Sequence, residues 1–361
     1  MTGAGPSVAA VLIALAAAWP VGPAVPSPDG GRLGRRQDPR DAASPGDVDV
    51  LRAVDALPVE VVGRFREPLG YERLANGDEL VFDRRGHTVY AVPRGRAAAR
   101  ALVSIGGEDG RVIEPSAFDA GPDGTFAVAD APRGRERIQV FRADGSWLSG
   151  FLLRSRATPR VTVGGLSLSG VGTMQYTGTS LLVSQPDTGG LMVEYGLDGA
   201  SVRTIGRLRA TGHEADRDLH LAMNAGVPLK DPRGGYWFVF LAGEPAFSRF
   251  DADGTLVFHR RLQGRELDPV LEALPSVWPR RTHEGAEIPL VSPTVRTAAL
   301  DPAGRLWISL VVPYTYVYDA MGEKIRTVQF QAAGLAAPNS LSFTSDGRVL
   351  VTPGCFEFDV R

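Results

Sequence analysis

Three of the five histidines of this 361-residue chain fall in two short charged stretches. Residues 207–223 (RLRATGHEADRDLHLAM) carry His213, Glu214, Asp216, Asp218 and His220. Residues 264–292 (GRELDPVLEALPSVWPRRTHEGAEIPLVS) carry Arg280, Arg281, His283, Glu284 and Glu287. Imidazole and carboxylate groups are suitable ligands for a divalent metal. His213, His220, His283 and Glu284 are therefore the candidate ligands of a metal-assisted hydrolase. None of their spacings has the compact His-Glu-x-x-His form, so charged, solvated loops are the plainer reading. A second set is Asn224, Arg280, Arg281, Arg296 and Asn339. These groups suit an anionic or carbonyl ligand, and a guanidinium matches a carboxylate in geometry. Arg296 adds a fixed positive charge that opposes a divalent cation. The balance favours a binding surface without a cofactor, for a small molecule or a protein, over metal-assisted catalysis. No catalytic residue is assigned. Gly165–Gly170 (GLSLSG) lacks the spacing of a nucleophile elbow. Cys355 has no histidine near it in sequence and reads as a buried thiol.

The elements that must position these residues show up as a repeat. An apolar stretch, a turn closing on glycine and a strongly apolar strand recur at Gly77, Gly124, Gly178, Gly234, Gly304 and Gly347. The strands that follow (DELVFD, TFAVAD, TSLLVS, GYWFVF, RLWISL, RVLVTP) are apolar at both parities. Such a strand must be covered on both faces. A second turn, aromatic–spacer–small–Asp–Gly, recurs at Gly145, Gly199 and Gly254, and at Gly322 with Met in place of Asp. Pro68, Pro115 and Pro338 precede three of the first turns, where a residue lacking a donor suits an edge strand. Four strands per unit and six units predict an all-β, six-bladed β-propeller of four-stranded antiparallel blades. The last unit stops at its third strand. Val59–Phe65 is a spare strand, and an N-terminal strand completing the last blade would close the ring. Both charged stretches join one blade to the next, so they share a face with Ser116, Asn224, Arg296 and Asn339, which open inner strands. Asp268–Leu274 predicts a short helix capped by Asp268.

Residues 115–151 resemble an NHL-type repeat, carried by Pro115, Gly124, Val128, Asp130, Arg137, Ile138, Val140, Phe141 and Gly145. The resemblance extends loosely over residues 59–361. It implies the six-bladed fold, and it implies either a binding scaffold or a metal-dependent lactonase or lyase with its site at the channel mouth. Calcium-dependent lactonase relatives use Glu and Asn or Asp at that mouth, whereas Glu72 and Asp119 lie nearer the middle of their strands.

Lys and Arg number 39 against 41 Asp and Glu, a net charge of −2, which argues against nucleic acid or a polybasic membrane contact. A single Cys excludes a disulfide framework. The apolar run Val8–Trp19 is too short for a bilayer span of about 20 residues and reads as an export signal. Residues 1–24 are accordingly expected to be a signal peptide, 25–54 a flexible Pro/Gly/Arg-rich linker and 55–361 the propeller. The mature chain is then expected outside the cytoplasm, periplasmic or secreted, with no stable membrane span.

Overall fold

The computed structural model describes residues 48–360, apart from 97, 154–160, 164–165, 169–172 and 284. The chain is all-β, a propeller-like arrangement of four-stranded antiparallel sheets. The first sheet runs Pro68–Arg73, Glu79–Asp83, Thr88–Val92, Arg100–Ala101. The second runs Ala117–Ala120, Phe126–Asp130, Arg137–Phe141, Trp147–Leu152. The third is Met174–Tyr176, Ser180–Ser184, Gly190–Gly196, Ser201–Arg207, and the fourth Gly226–Lys230, Tyr236–Phe240, Ala246–Phe250, Leu256–Arg261. Every one of these sheets is an up-and-down meander whose second strand is buried on both faces. The turns between strands use glycine where the backbone requires it. At Gly145, φ is +88° and an added Cβ would lie 2.4 Å from the Leu102 carbonyl oxygen.

The remaining strands depart from six separate sheets. Val295–Leu300, Leu306–Leu310, Thr315–Tyr318 and Lys324–Gln331 form one meander, and Ser340–Phe343, Arg348–Thr352 and Phe356–Asp359 form another. A single N-terminal strand fuses them into eight strands. That strand is Asp49–Ala56, not Val59–Phe65. Its second half pairs antiparallel with Phe356–Asp359 (Ala53 opposite Phe358), while its first half pairs parallel with Val328–Gln331. Pro58, at φ −55°, instead leads Val59–Val62 into one helical turn that buries Val61. Asp49–Ala56 has the alternation a strand needs: Leu51 and Ala53 turn to the core, while Val50, Arg52 and Val54 face out. The strand therefore begins inside the stretch whose composition suggested a linker.

Between neighbouring sheets lies a chain of apolar clusters that returns to its start. Leu80 and Phe82 pack with Phe126 and Phe141. Ile138 and Val140 pack with Leu181 and Val193, and Met192 with Phe238. Trp237 and Phe247 pack with Ile308 and Tyr316, and Trp307 with Val351 and Phe358. Leu350 and Cys355 then pack with Tyr71 and Val81 of the first sheet. The first strands of successive sheets also touch in turn, and Ser340–Phe343 meets Pro68–Arg73. Cys355 is the buried thiol expected.

The recurring polar residues hold these sheets in place. Asp231 and Asp301, each six residues before a Trp, accept the indole N–H of Trp237 and Trp307 at 3.0 Å. A buried indole donor needs such a partner. In the unit closest to the NHL pattern, Asp130 takes Arg137 bidentately, at 3.0 and 2.8 Å. Arg137 also donates to the carbonyls of Gly107 and Arg111, so the pair fixes the incoming loop.

Candidate functional site

Sequence outside the repeat gathers into an accessory layer. Val161–Val163 and Leu166–Leu168, from the connection between the second and third sheets, pair with a hairpin made by Arg280–His283 and Ala286–Val291. Helix Arg217–Met223 rests on this four-stranded sheet. Leu219, Ala222 and Met223 of the helix bury with Ala242, Trp278 and Val291. Connections that leave three different sheets thus build one layer, and two of them share a small apolar core. The stretch read as solvated loops contains a hairpin whose Val291 packs with the helix and whose Ile288 is buried. The first connection carried no charged motif, so its part in the layer was not legible.

Polar contacts tie the layer down. Asp216 accepts from Leu219 N at the helix start and forms an ion pair with Arg280, joining the two charged stretches. Arg280 also donates to the Glu287 carbonyl at 3.1 Å. Arg209 lies over the Phe240 ring, 4.0 Å from its centroid, and donates to the carbonyls of Met223, Ala242 and Glu244. Burial pulls its pKa down to about 10. Arg281 is exposed, in cross-strand register with Ile288.

The expected ligand groups separate into two kinds. Asn224 is fully buried, and its amide is bonded to Arg209 N, Arg209 O and His220 O at 2.8, 3.2 and 3.0 Å. It stitches the helix end to the preceding segment. Arg296 and Asn339, at the starts of neighbouring inner strands, meet at 2.8 Å from Nη1 to Oδ1, and the Arg296 side chain is otherwise exposed.

His220 Nδ1 lies 2.8 Å from Thr211 Oγ1 and 4.0 Å from Glu214. Backbone N–H groups of Thr211 and Gly212 donate to Glu214 and lower its pKa. The His213 N–H donates to Thr211 Oγ1. Among the described residues no three His, Cys, Asp or Glu side chains are placed to share a metal ion. Glu284 and the side chain of His283 lie outside the described residues. Asp268 is the first residue of helix Asp268–Glu272 rather than its cap. A 3-10 turn over Arg265–Leu267 runs into the helix and holds Asp268 in helical geometry.

Near the far ends of the inner strands lies a polar arc. The free edge of an inner strand leaves N–H groups unpaired. Glu72 accepts from Ala120 N, Asp119 from Tyr176 N and Gln175 from Lys230 N, each side chain serving the next inner strand. Glu72 and Asp119 also bond to one another, and neither has an ion pair among the described residues. Burial raises both pKa values, and the neighbouring Asp119 charge and the hydrogen bond to Asp119 raise Glu72 further. The common register of Glu72 and Asp119, five residues before Gly77 and Gly124, is visible in the sequence.

No family model matches the chain, and no curated protein does. Among solved structures, a streptogramin B lyase aligns over 81% of this chain and 78% of its own, at 12% identity and a TM-score of 0.48. A catalytically inactive variant of virginiamycin B lyase from Staphylococcus aureus, with quinupristin, aligns over 81% and 78% at 9% identity and a TM-score of 0.49. A protein of unknown function from Bacteroides caccae aligns over 73% and 81% at 13% identity and a TM-score of 0.44. These likenesses are remote. The propeller-like arrangement is carried by the strand pairing and by the ring of apolar clusters.

Proposed function

We propose that this protein is an exported, NHL-like propeller of six blades that binds an anionic or carbonyl-bearing ligand, free or on a protein, through its insertion-bearing face. Counting the eight-stranded sheet as two blades joined at their outer edges gives the six. The observation that carries the binding reading is the accessory layer. Connections leaving three sheets pair into a layer of their own, which closing the ring does not require. In an up-and-down sheet these connections end where the next inner strand begins, so Arg296 and Asn339 share that face. Long connections held on a rigid scaffold are where binding residues concentrate. Arg296, Asn339, Arg281 and Arg280 supply its donors. Asn224 supports the surface from beneath. The metal-assisted alternative would need His213, His220, His283 and Glu284 brought together, and Glu284 and the His283 side chain lie outside the described residues. Export rests on the apolar run Val8–Trp19, and no described helix is long and apolar enough to cross a membrane.

Calorimetric titration with mono-, di- and tricarboxylates and phosphomonoesters tests the reading. At least one probe is expected to bind saturably. The double variant Arg296→Ala, Asn339→Ala is expected to weaken it about tenfold or more, the worth of a charge-assisted hydrogen bond. Arg260→Ala, on an outer strand, leaves it unchanged. Equal affinity in the double variant, or no binding by any probe, would refute the assignment.

A further inference from the structure

We infer that the cleft formed where the closing strand Asp49–Ala56 runs parallel to Lys324–Gln331 is a second binding site, for a carboxylate carried on an apolar stem. The cleft has a volume of about 470 Å³. That lies within the roughly 300–1,000 Å³ of small-molecule pockets. Its chemistry follows from register. Val50 stands opposite Gln329 and Arg52 opposite Gln331. Directly paired residues, and residues two apart on one strand, project from the same face of a ladder. Val50, Arg52, Gln329 and Gln331 therefore form one patch, while Leu51 and Phe330 turn the other way into the core. Strand Thr315–Tyr318 stops pairing at Val328. Beyond it, Pro313 forms one side of the cleft and Leu335 another.

Arg52, Gln329 and Gln331 make no side-chain hydrogen bond or ion pair among the described residues. Nearby guanidinium groups on the same sheet are committed: Arg326 to Asp49 at 2.7 Å and Arg348 to Glu357 at 2.7 Å. The cleft thus combines one uncommitted guanidinium and two uncommitted amides with the apolar surface of Val50, Pro313 and Leu335. A planar, bidentate donor beside amides suits a carboxylate, and the apolar walls suit a hydrocarbon stem. Two sources supply that chemistry, a free carboxylic acid and the C-terminus of a peptide.

Three probes separate them: hexanoate, an acetylated apolar tripeptide with a free C-terminus, and the same tripeptide as its C-terminal amide. Calorimetry is expected to show saturable binding of at least one of the two acids, with the amide at least tenfold weaker than the free tripeptide if that is the acid bound. The tighter acid identifies the source. Arg52→Ala is expected to weaken binding at least tenfold with an unchanged melting temperature, because the side chain is exposed and unpaired. Arg52→Lys retains part of the affinity. The variant Arg296→Ala, Asn339→Ala binds these probes as the wild type does, so this site and the one on the insertion-bearing face fail independently. Absence of binding by both acids at millimolar concentration, or equal binding by Arg52→Ala, overturns the proposal.

Discussion

Glu357→Ala is expected to destabilise the protein by about 3–5 kcal/mol, the range found when one partner of a buried ion pair is removed. Glu357 is 2% exposed and accepts from Arg73 at 2.5 Å and from Arg348 at 2.7 Å. Arg73 also reaches Glu79 at 2.7 Å, and Arg96 joins Glu79 to Asp55 at 2.9 and 2.7 Å. Tyr71 donates to Glu79 at 2.9 Å, which together with burial raises the phenol's pKa. Three arginines thus face three carboxylates drawn from the closing strand, the first sheet and the last. Truncating Glu357 leaves Arg73 and Arg348 short of countercharge between the sheets where the ring closes. The melting temperature is expected to fall by roughly 5–10 °C. Glu323→Ala is the control. Its partner Arg260 lies 3.7 Å away and both are exposed, so the expected change is within about 0.5 kcal/mol. Similar losses in the two variants would contradict the closure network.

Glu72→Gln is expected to stabilise the protein above neutral pH and to flatten its pH dependence. The sign follows from linkage. Unfolded Asp and Glu titrate near 3.9 and 4.3. In the folded chain burial lifts Glu72 well above that range and Asp119 to about 7. The folded state therefore holds a proton that the unfolded chain has released. Stability is full below about pH 4 and is lost as pH rises through the folded values. The amide of Glu72→Gln donates to Asp119 without needing that proton. At pH 8 the gain is expected to be about 2 kcal/mol, and at pH 4 close to none. Denaturant melts at the two pH values measure it. A gain of equal size at both would show that the pair does not share a proton.

The sequence made the second strands legible because both of their parities are apolar, and both faces of each are covered. The turn glycines followed for the same reason, since positive φ restricts the residue type. The closing strand was harder. Asp49–Ala56 is only half-buried and follows a Pro- and Gly-rich stretch, so its composition hid a clear alternation, whereas the more apolar Val59–Phe65 drew attention although Pro58 starts a helical turn there. The charged stretches were legible as insertions but not as one layer, because strand pairing over long sequence separation leaves no local trace. Asn224 shows the limit at single residues: an Asn at a strand start looks the same whether its amide meets a ligand or the backbone of Arg209. Glu72 and Asp119 become a pair only once neighbouring strands bring them together.

Amide hydrogen exchange over residues 49–56 tests the account most directly, because this strand binds the two ends of the chain into a closed ring. Its amides are expected to exchange as slowly as those of Arg348–Thr352, in a single cooperative unit with Phe356–Asp359. Exchange at the rate of an unprotected chain would show that the strand does not seal the sheets.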